Sequence, residues 1–385
     1  MKKIILIFAV FAYLSTAKIV NAIVDPLAVN NNKYGIHIID ENDLATASDL
    51  VNSTGDWGYI TMVITDYDRS VEKWQRIFDR MRNLHLIPII RIATHPIGDS
   101  WAKPKIEDAK SWADFLGNLY WVTKNRYIIL FNEPNHSAEW GKSLNPTEYA
   151  QILKIYSINL KQNSTDFFIL PAGLDASAPN SSSTMDEVDF LREMVFSQPD
   201  ILSHIDGWTS HSYPNPGFSG KVTDSGRGTL RTYLWELEIL KSFGLKTPLP
   251  VFITETGWAH QEGLVSNKSY YSADIIANFI QKAAQNIWND RQIVAITPFI
   301  LNYQSYPFAN FSWQKPNENT FYPFFDTYKA LAKMSGNPVL NRVFEDVGTF
   351  ALKNLNSNST AEINTYQPKI NKKILASLFY KVFKL

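Results

Sequence analysis

Tyr127-Ile128-Ile129-Leu130-Phe131-Asn132-Glu133-Pro134 is the stretch on which the fold turns. Five apolar residues run unbroken into Asn132 and Glu133, and Pro134 closes the run. A short apolar run that ends at a proline reads as a buried strand of a parallel sheet. A glutamate placed directly after such a run is costly to bury unpaired, so Glu133 marks a strand end with a task.

Working outward, the same pattern recurs. Apolar runs at 33–39, 58–64, 87–93, 127–133, 167–172, 205–213, 250–255 and 293–302 read as strands. Between them lie helical patterns. Trp74, Ile77, Phe78 and Met81 share one helical face, as do Ile275, Ile276, Phe279, Ile280 and Ala283. Asn145-Pro146-Thr147-Glu148 supplies an N-cap, a first-position proline and an early acid. Thr184 and Glu187 have capping-box spacing, and a last helix is expected over 326–334. Strands alternating with helices over roughly 310 residues predict an α/β fold, a (β/α)8 TIM barrel. An open doubly wound sheet would want a glycine-rich loop after its first strand, and Tyr34-Gly35-Ile36-His37 is not one.

A barrel places working residues at the C-terminal ends of its strands. Those ends carry His37, Asp66, Arg91, Asn132-Glu133, Asp175 just beyond, His211 with Tyr213, Glu255 and Asn302. The seventh strand repeats the motif of the fourth: Val251-Phe252-Ile253-Thr254-Glu255, then Thr256-Gly257-Trp258, with Trp258 expected at the pocket mouth. Strands four and seven face each other across a barrel, so Glu133 and Glu255 can approach one sugar from two sides. Two carboxyls about 5–5.5 Å apart are the equipment of a retaining glycosidase, one acid/base and one nucleophile. Period-two geometry puts His211 and Tyr213 on one face of strand six, beside strand seven, where Tyr213 can donate to Glu255.

Asn132-Glu133-Pro134, His211-Ser212-Tyr213 and Glu255 in Thr-Glu-Thr-Gly-Trp together resemble clan A glycoside hydrolases, the cellulase-like family 5 and xylosidase-like family 39 among them. The resemblance spans about residues 31 to 338. It implies double displacement, with Glu133 as acid/base and Glu255 as nucleophile. It also implies that Asn132 binds the substrate 2-hydroxyl and that Tyr213 supports Glu255. His37, Arg91, His211, Trp258, Asn302 and Trp313 complete the expected substrate contacts. The chain departs from the pattern twice. Many clan members carry an arginine on strand two that contacts the nucleophile, whereas here the candidate, Arg91, is on strand three. Many carry a tryptophan at the end of strand eight, for which Phe299 or Trp313 would have to substitute.

Composition limits the alternatives. The 385 residues carry a formal net charge of zero and no cysteine, which excludes thiol nucleophiles, Cys-ligated zinc and disulfides and leaves no nucleic-acid footprint. With 11 Trp, 18 Tyr and 23 Phe, rings are available both for the core and for stacking on a sugar. A metal-dependent barrel hydrolase would show His-x-His on its first strand, but His37 is followed by Ile38 and Ile39. No metal or other cofactor is therefore expected. A non-catalytic sugar-binding barrel usually lacks one carboxylate, and both stand here.

The flanks read differently. Lys2 and Lys3, the apolar stretch 4–17 and Val20-Asn21-Ala22 read as a signal peptide over 1–22, so secretion is expected. The catalytic domain is placed at 23–341. An Asn/Ser/Thr-rich linker follows to 371. The basic segment 372–385 puts Ile374, Leu375, Leu378, Phe379, Val382 and Phe383 on one helical face, fit to lie in a membrane interface, dock on a partner or pack back on the barrel.

Overall fold

The computed structural model describes residues 23–341; the expected signal peptide, linker and terminal helix lie outside the described residues. Eight strands alternate with eight helices. The strands are β1 Gly35–His37, β2 Gly58–Thr65, β3 Leu86–Ala93, β4 Arg126–Leu130, β5 Phe167–Pro171, β6 Trp208–Ser212, β7 Val251–Thr256 and β8 Ile293–Ile296. The helices are α1 Leu44–Val51, α2 Val71–Asn83, α3 Ala109–Gly117, α4 Pro146–Asn163, α5 Glu187–Ser197, α6 Thr232–Ser242, α7 Ala273–Asn286 and α8 Pro323–Lys329. A short antiparallel hairpin, Pro96–Ile97 with Ser100–Trp101, rises from the loop after β3.

All ladders between the barrel strands are parallel. β1 to β5 form one arc and β6 to β8 another. β8 meets β1 through the Tyr34–Ile296 bridge, and the Ile296 N–H donates to Lys33 O at 2.8 Å. At the β5–β6 seam the Asp206 carboxylate accepts the Ile169 N–H at 2.7 Å, while the Asp206 N–H donates back to Ile169 O. Gly207 permits that approach, since a Cβ there would lie 2.8 Å from Phe168 and 2.9 Å from Leu170.

Inside the barrel the rings of Tyr127, Phe168 and Phe252 meet at 5.1 to 5.6 Å. They come from β4, β5 and β7, so only interior positions bring them together. This layer is the floor beneath the site. Outside, the expected stripe Trp74, Ile77, Phe78 and Met81 is buried on α2. Asn145 caps α4 by accepting the Glu148 N–H at 3.0 Å, with Pro146 in the first turn.

Several boundaries differ from the expectation, each for a local reason. β4 ends at Leu130 because Phe131 takes φ 73°. β8 ends at Ile296 because Pro298 has no N–H to give a ladder. The capping box at Thr184 does not form; Asp186 caps α5 instead, accepting the Val188 and Asp189 N–H groups. The last helix runs 323–329, starting on Pro323 and stopping where Lys333 Nζ takes the Tyr328 and Lys329 carbonyls.

A buried acid pair lies on the outer side of β6. Glu187 and Glu236, from α5 and α6, are both fully buried, and Trp208 Nε1 donates to Glu236 Oε2 at 3.0 Å. Burial, then the neighbouring Glu236, push Glu187 well above the usual carboxylate range. Burial pushes Glu236 up to about 7.

Candidate active site

The C-terminal mouth of the barrel gathers Glu133, Glu255, His211, Tyr213, Arg91, Asn132 and His37. Arg91 arrives by plain alternation. Ile89 pairs with Tyr127, so it faces inward, and Arg91 two residues on faces inward above it. Its Nη1 donates to Glu255 Oε1 at 2.5 Å and to Asn132 Oδ1 at 2.6 Å. An arginine on β3 thus makes the contact with Glu255 that the sequence pattern led one to seek on strand two.

Glu255 arrives by a break in alternation. Phe252 faces inward, so an unbroken strand would turn Glu255 outward. The β6–β7 register shifts here: Ser210 pairs with Ile253 but His211 with Glu255. The extra residue, Thr254, is a bulge that re-aims the carboxylate into the mouth. Tyr213 Oη donates to Glu255 Oε2 at 3.1 Å, as expected.

The fourth strand uses a different device. Phe131 has φ 73° and Glu133 φ 31°, both in the left-handed region that costs a side-chain-bearing residue about 1–2 kcal/mol. Phe131 is turned out onto Trp140 and Tyr156, with ring centroids at 5.7 and 5.3 Å. Consecutive Asn132 and Glu133 can then both serve the mouth, which regular strand geometry forbids. The Glu133 N–H is tied to Gly173 O at 3.1 Å.

His211 stands between the carboxylates, its Nδ1 2.7 Å from Glu133 Oε1 and 3.9 Å from Glu255 Oε2. It fits because residue 173 is glycine; any Cβ there would collide with the imidazole ring. One ligand atom each from Glu133, His211 and Glu255 all lie within 4.8 Å of one another.

The charges are set by these contacts. Burial works to raise Glu255, but the positive charges of His211 and Arg91 outweigh it and hold the carboxyl down at about 2. Burial works against protonating His211, yet Glu255 and Glu133 raise it overall. Burial and then Arg91 hold His37 down at about 3, so it is neutral. Among the described residues neither His37 ring nitrogen has a hydrogen-bond partner, although the residue is 1% exposed. Its ring lies 5.2 Å from Phe299.

The remaining expected contacts fall elsewhere. Trp258 is 4% exposed in the core, packed on Phe279, with Nε1 donating to Gly220 O at 2.9 Å. Trp313 is equally buried, edge-on to Phe324 and Tyr328. Asn302 lies beyond the end of β8, where its amide donates to Asp43 at 3.3 Å and accepts from Gln304. Phe299, half-buried, takes the ring position next to His37. It belongs to an aromatic wall of Tyr213, Phe218, Phe308 and Phe311 built from the loops after β6 and β8. Sequence reading had named Tyr213 and Phe299 but not Phe218, Phe308 or Phe311. Two further residues lie beside these. His136 pairs with Asp175 at 2.9 Å, and Glu139 is buried close to Glu133.

The three-residue cluster could hold a cation by distance alone. The site chemistry opposes it, because Arg91 and Tyr213 already occupy the two oxygens of Glu255.

No family model matches the chain, and no curated protein is significantly similar to it in sequence. Solved structures share its fold. A monomeric β-xylosidase from Caulobacter crescentus CB15 aligns over 81% of this chain and 71% of its own, at 14% identity and TM-score 0.50. The β-mannanase from Thermomonospora fusca aligns over 79% and 93%, at 11% identity and TM-score 0.50. A glucosidase from Croceicoccus marinus aligns over 78% and 67%, at 9% identity and TM-score 0.53. The class these define is the (β/α)8 barrel, here with a paired-carboxylate mouth; at such identities the likeness speaks for the fold alone.

Proposed function

We propose that the protein is a retaining glycoside hydrolase acting on β-linked sugars. The observation that carries this reading is the pair Glu133 and Glu255, two buried carboxylates on opposite walls of one barrel mouth, in different states of support. Glu255 is held ionised by the positive charges of His211 and Arg91, as a nucleophile must be. Glu133 has one oxygen against His211, which leaves Oε2 to carry the transferred proton.

In the first displacement a Glu255 oxygen bonds to the anomeric carbon as the glycosidic C–O bond breaks, and the Glu133 proton goes to the leaving oxygen. In the second, Glu133, now a carboxylate, takes a proton from water. The water oxygen bonds to the anomeric carbon, and the ester bond to Glu255 breaks. His37 and Asn132 are placed to hold sugar hydroxyls, and the Phe299 wall to meet an apolar sugar face. Xylosidases and mannanases are built on the same barrel, which is compatible with a carbohydrate substrate. The leader-like segment 1–22 supports a secreted or cell-surface location as part of this reading.

The test is a panel of aryl glycosides and β-linked polysaccharides, with NMR reading the anomer released first. Retained configuration is expected, together with loss of turnover in Glu133→Gln and Glu255→Gln. An inverted first product, or unchanged turnover in both variants, overturns the reading.

A further inference from the structure

The turn that begins on Glu133 hangs on the loop between β5 and α5. Glu133-Pro134-Asn135-His136 closes as a β-turn, the His136 N–H donating to Glu133 O at 2.8 Å, with Pro134 setting its first corner. The Glu133 N–H donates to Gly173 O, so the residue is held at both its N–H and its carbonyl. Asn135, fully buried, straddles Asp175: its Oδ1 accepts the Asp175 N–H at 3.2 Å and its Nδ2 donates to Asp175 O at 3.0 Å. The Met185 N–H donates to Asn135 O at 2.9 Å, and the Ser137 N–H to Ser183 O at 2.8 Å. His136 adds the side-chain anchor. Its Nε2 lies 2.9 Å from Asp175 Oδ2, while Asp175 Oδ1 accepts the Ser177 N–H at 2.8 Å. Burial works to raise Asp175, but the His136 contact outweighs it and holds the carboxyl below its ordinary range, so the ring N–H donates and the carboxylate accepts.

A buried pair of this kind is weak evidence of stability, because desolvation offsets its attraction. What it fixes is the turn that presents Glu133. Glu133 takes φ 31°, a backbone state that persists only where its surroundings impose it. The direction of its side chain follows from that backbone, and with it the placement of Oε2 while Oε1 sits 2.7 Å from His211 Nδ1. We propose that His136 and Asp175 are positioning residues for Glu133: their contact seats the Glu133–His136 turn on the loop after β5 and so aims the acid/base. They act through the turn rather than on the sugar. Without the contact, the bonds at Asn135 and Ser137 still hold the loop, but the corner bonded to the Glu133 carbonyl loses its side-chain anchor.

The kinetic part rests on the glycosidase reading; the geometric part does not. The experiment compares the full chain with His136→Phe and His136→Gln, by crystallography and on two aryl glycosides of one sugar. A dinitrophenolate leaves without a proton, whereas an unsubstituted phenol needs the one that Glu133 gives. In His136→Phe, kcat/KM on the phenyl glycoside falls by about 10- to 100-fold, the order for a misplaced catalytic group. On the dinitrophenyl glycoside it falls by less than about threefold. Glutamine offers an N–H in place of Nε2 and restores the phenyl glycoside. In the crystal structures Glu133 leaves His211 in the Phe variant and stays on it in the Gln variant. Equal losses on the two leaving groups, or no loss on either, overturn the proposal. If His136→Phe does not fold, Asp175→Ala breaks the same contact from its partly exposed side and is read in the same way. If the wild type turns over no glycoside, the glycosidase reading falls and the crystal structures decide alone: a Glu133 unmoved in the variant overturns the positioning role.

Discussion

Arg91 and Glu255 meet across the barrel mouth at 2.5 Å, a β3 guanidinium on a β7 carboxylate, both nearly buried. Removing the cation leaves Glu255 buried with less compensation. Arg91→Met is expected to lose about 3 kcal/mol of stability, measured by urea denaturation. It also raises the Glu255 pKa. Activity needs ionised Glu255 and so lies above that pKa, and the acid limb of kcat/KM moves to higher pH. An acid limb that stays in place means that Arg91 does not set the charge on Glu255.

Gly173 makes room for His211. Gly173→Ala puts a methyl into the imidazole ring, an overpacking expected to cost about 1–3 kcal/mol. The ring must move off Glu133, so kcat falls more than the stability loss explains at temperatures where the variant is folded. Circular dichroism melts beside steady-state kinetics separate the two effects.

The aromatic wall and the core tryptophans should behave differently. Phe299→Ala is expected to raise KM about tenfold, the order for one lost aromatic contact with a sugar, with a smaller change in kcat. Trp258→Phe loses the bond to Gly220 O and about 1 kcal/mol of stability, with kcat/KM unchanged. A Trp258 variant with raised KM and normal melting would put that ring in the site.

The Glu187–Glu236 pair makes stability fall with alkali. Both carboxyls are raised in the folded chain, so the fold favours their protonated forms. Their contribution is full below the ordinary carboxylate range and is lost as pH rises through about 7. Glu187→Gln keeps the shape without the charge. Its melting temperature should therefore drop less than wild type between about pH 6 and about pH 9. Equal drops would show that the pair does not titrate in that interval.

Much of this was legible along the chain. Apolar runs punctuated by helical stripes are local patterns, and local patterns set strands and helices, so the barrel and its strand order followed. Glu133 and Glu255 stood out because a carboxylate after a buried run needs a reason to be there. His211 and Tyr213 both reach toward Glu255, although β6 ends at Ser212 and the Tyr213 N–H turns back onto His211 O.

What the chain alone did not carry depends on contacts between distant segments. Counting by twos from Phe252 turns Glu255 outward; only the register shift against β6 turns it in. Counting from Tyr127 puts Phe131 inward and Asn132 outward; two left-handed residues reverse that. Trp258 and Trp313 looked like site rings because tryptophan suits a sugar, but helix packing claimed both. The reach of Arg91 to Glu255 is a distance across the barrel, which no spacing within one strand encodes. Sequence thus determined which two glutamates end buried strands, because that is a local matter of hydrophobic run and punctuation. Tertiary structure decided that they face each other and what charges surround them, because register, bulge and cross-barrel distance exist only once the strands are paired.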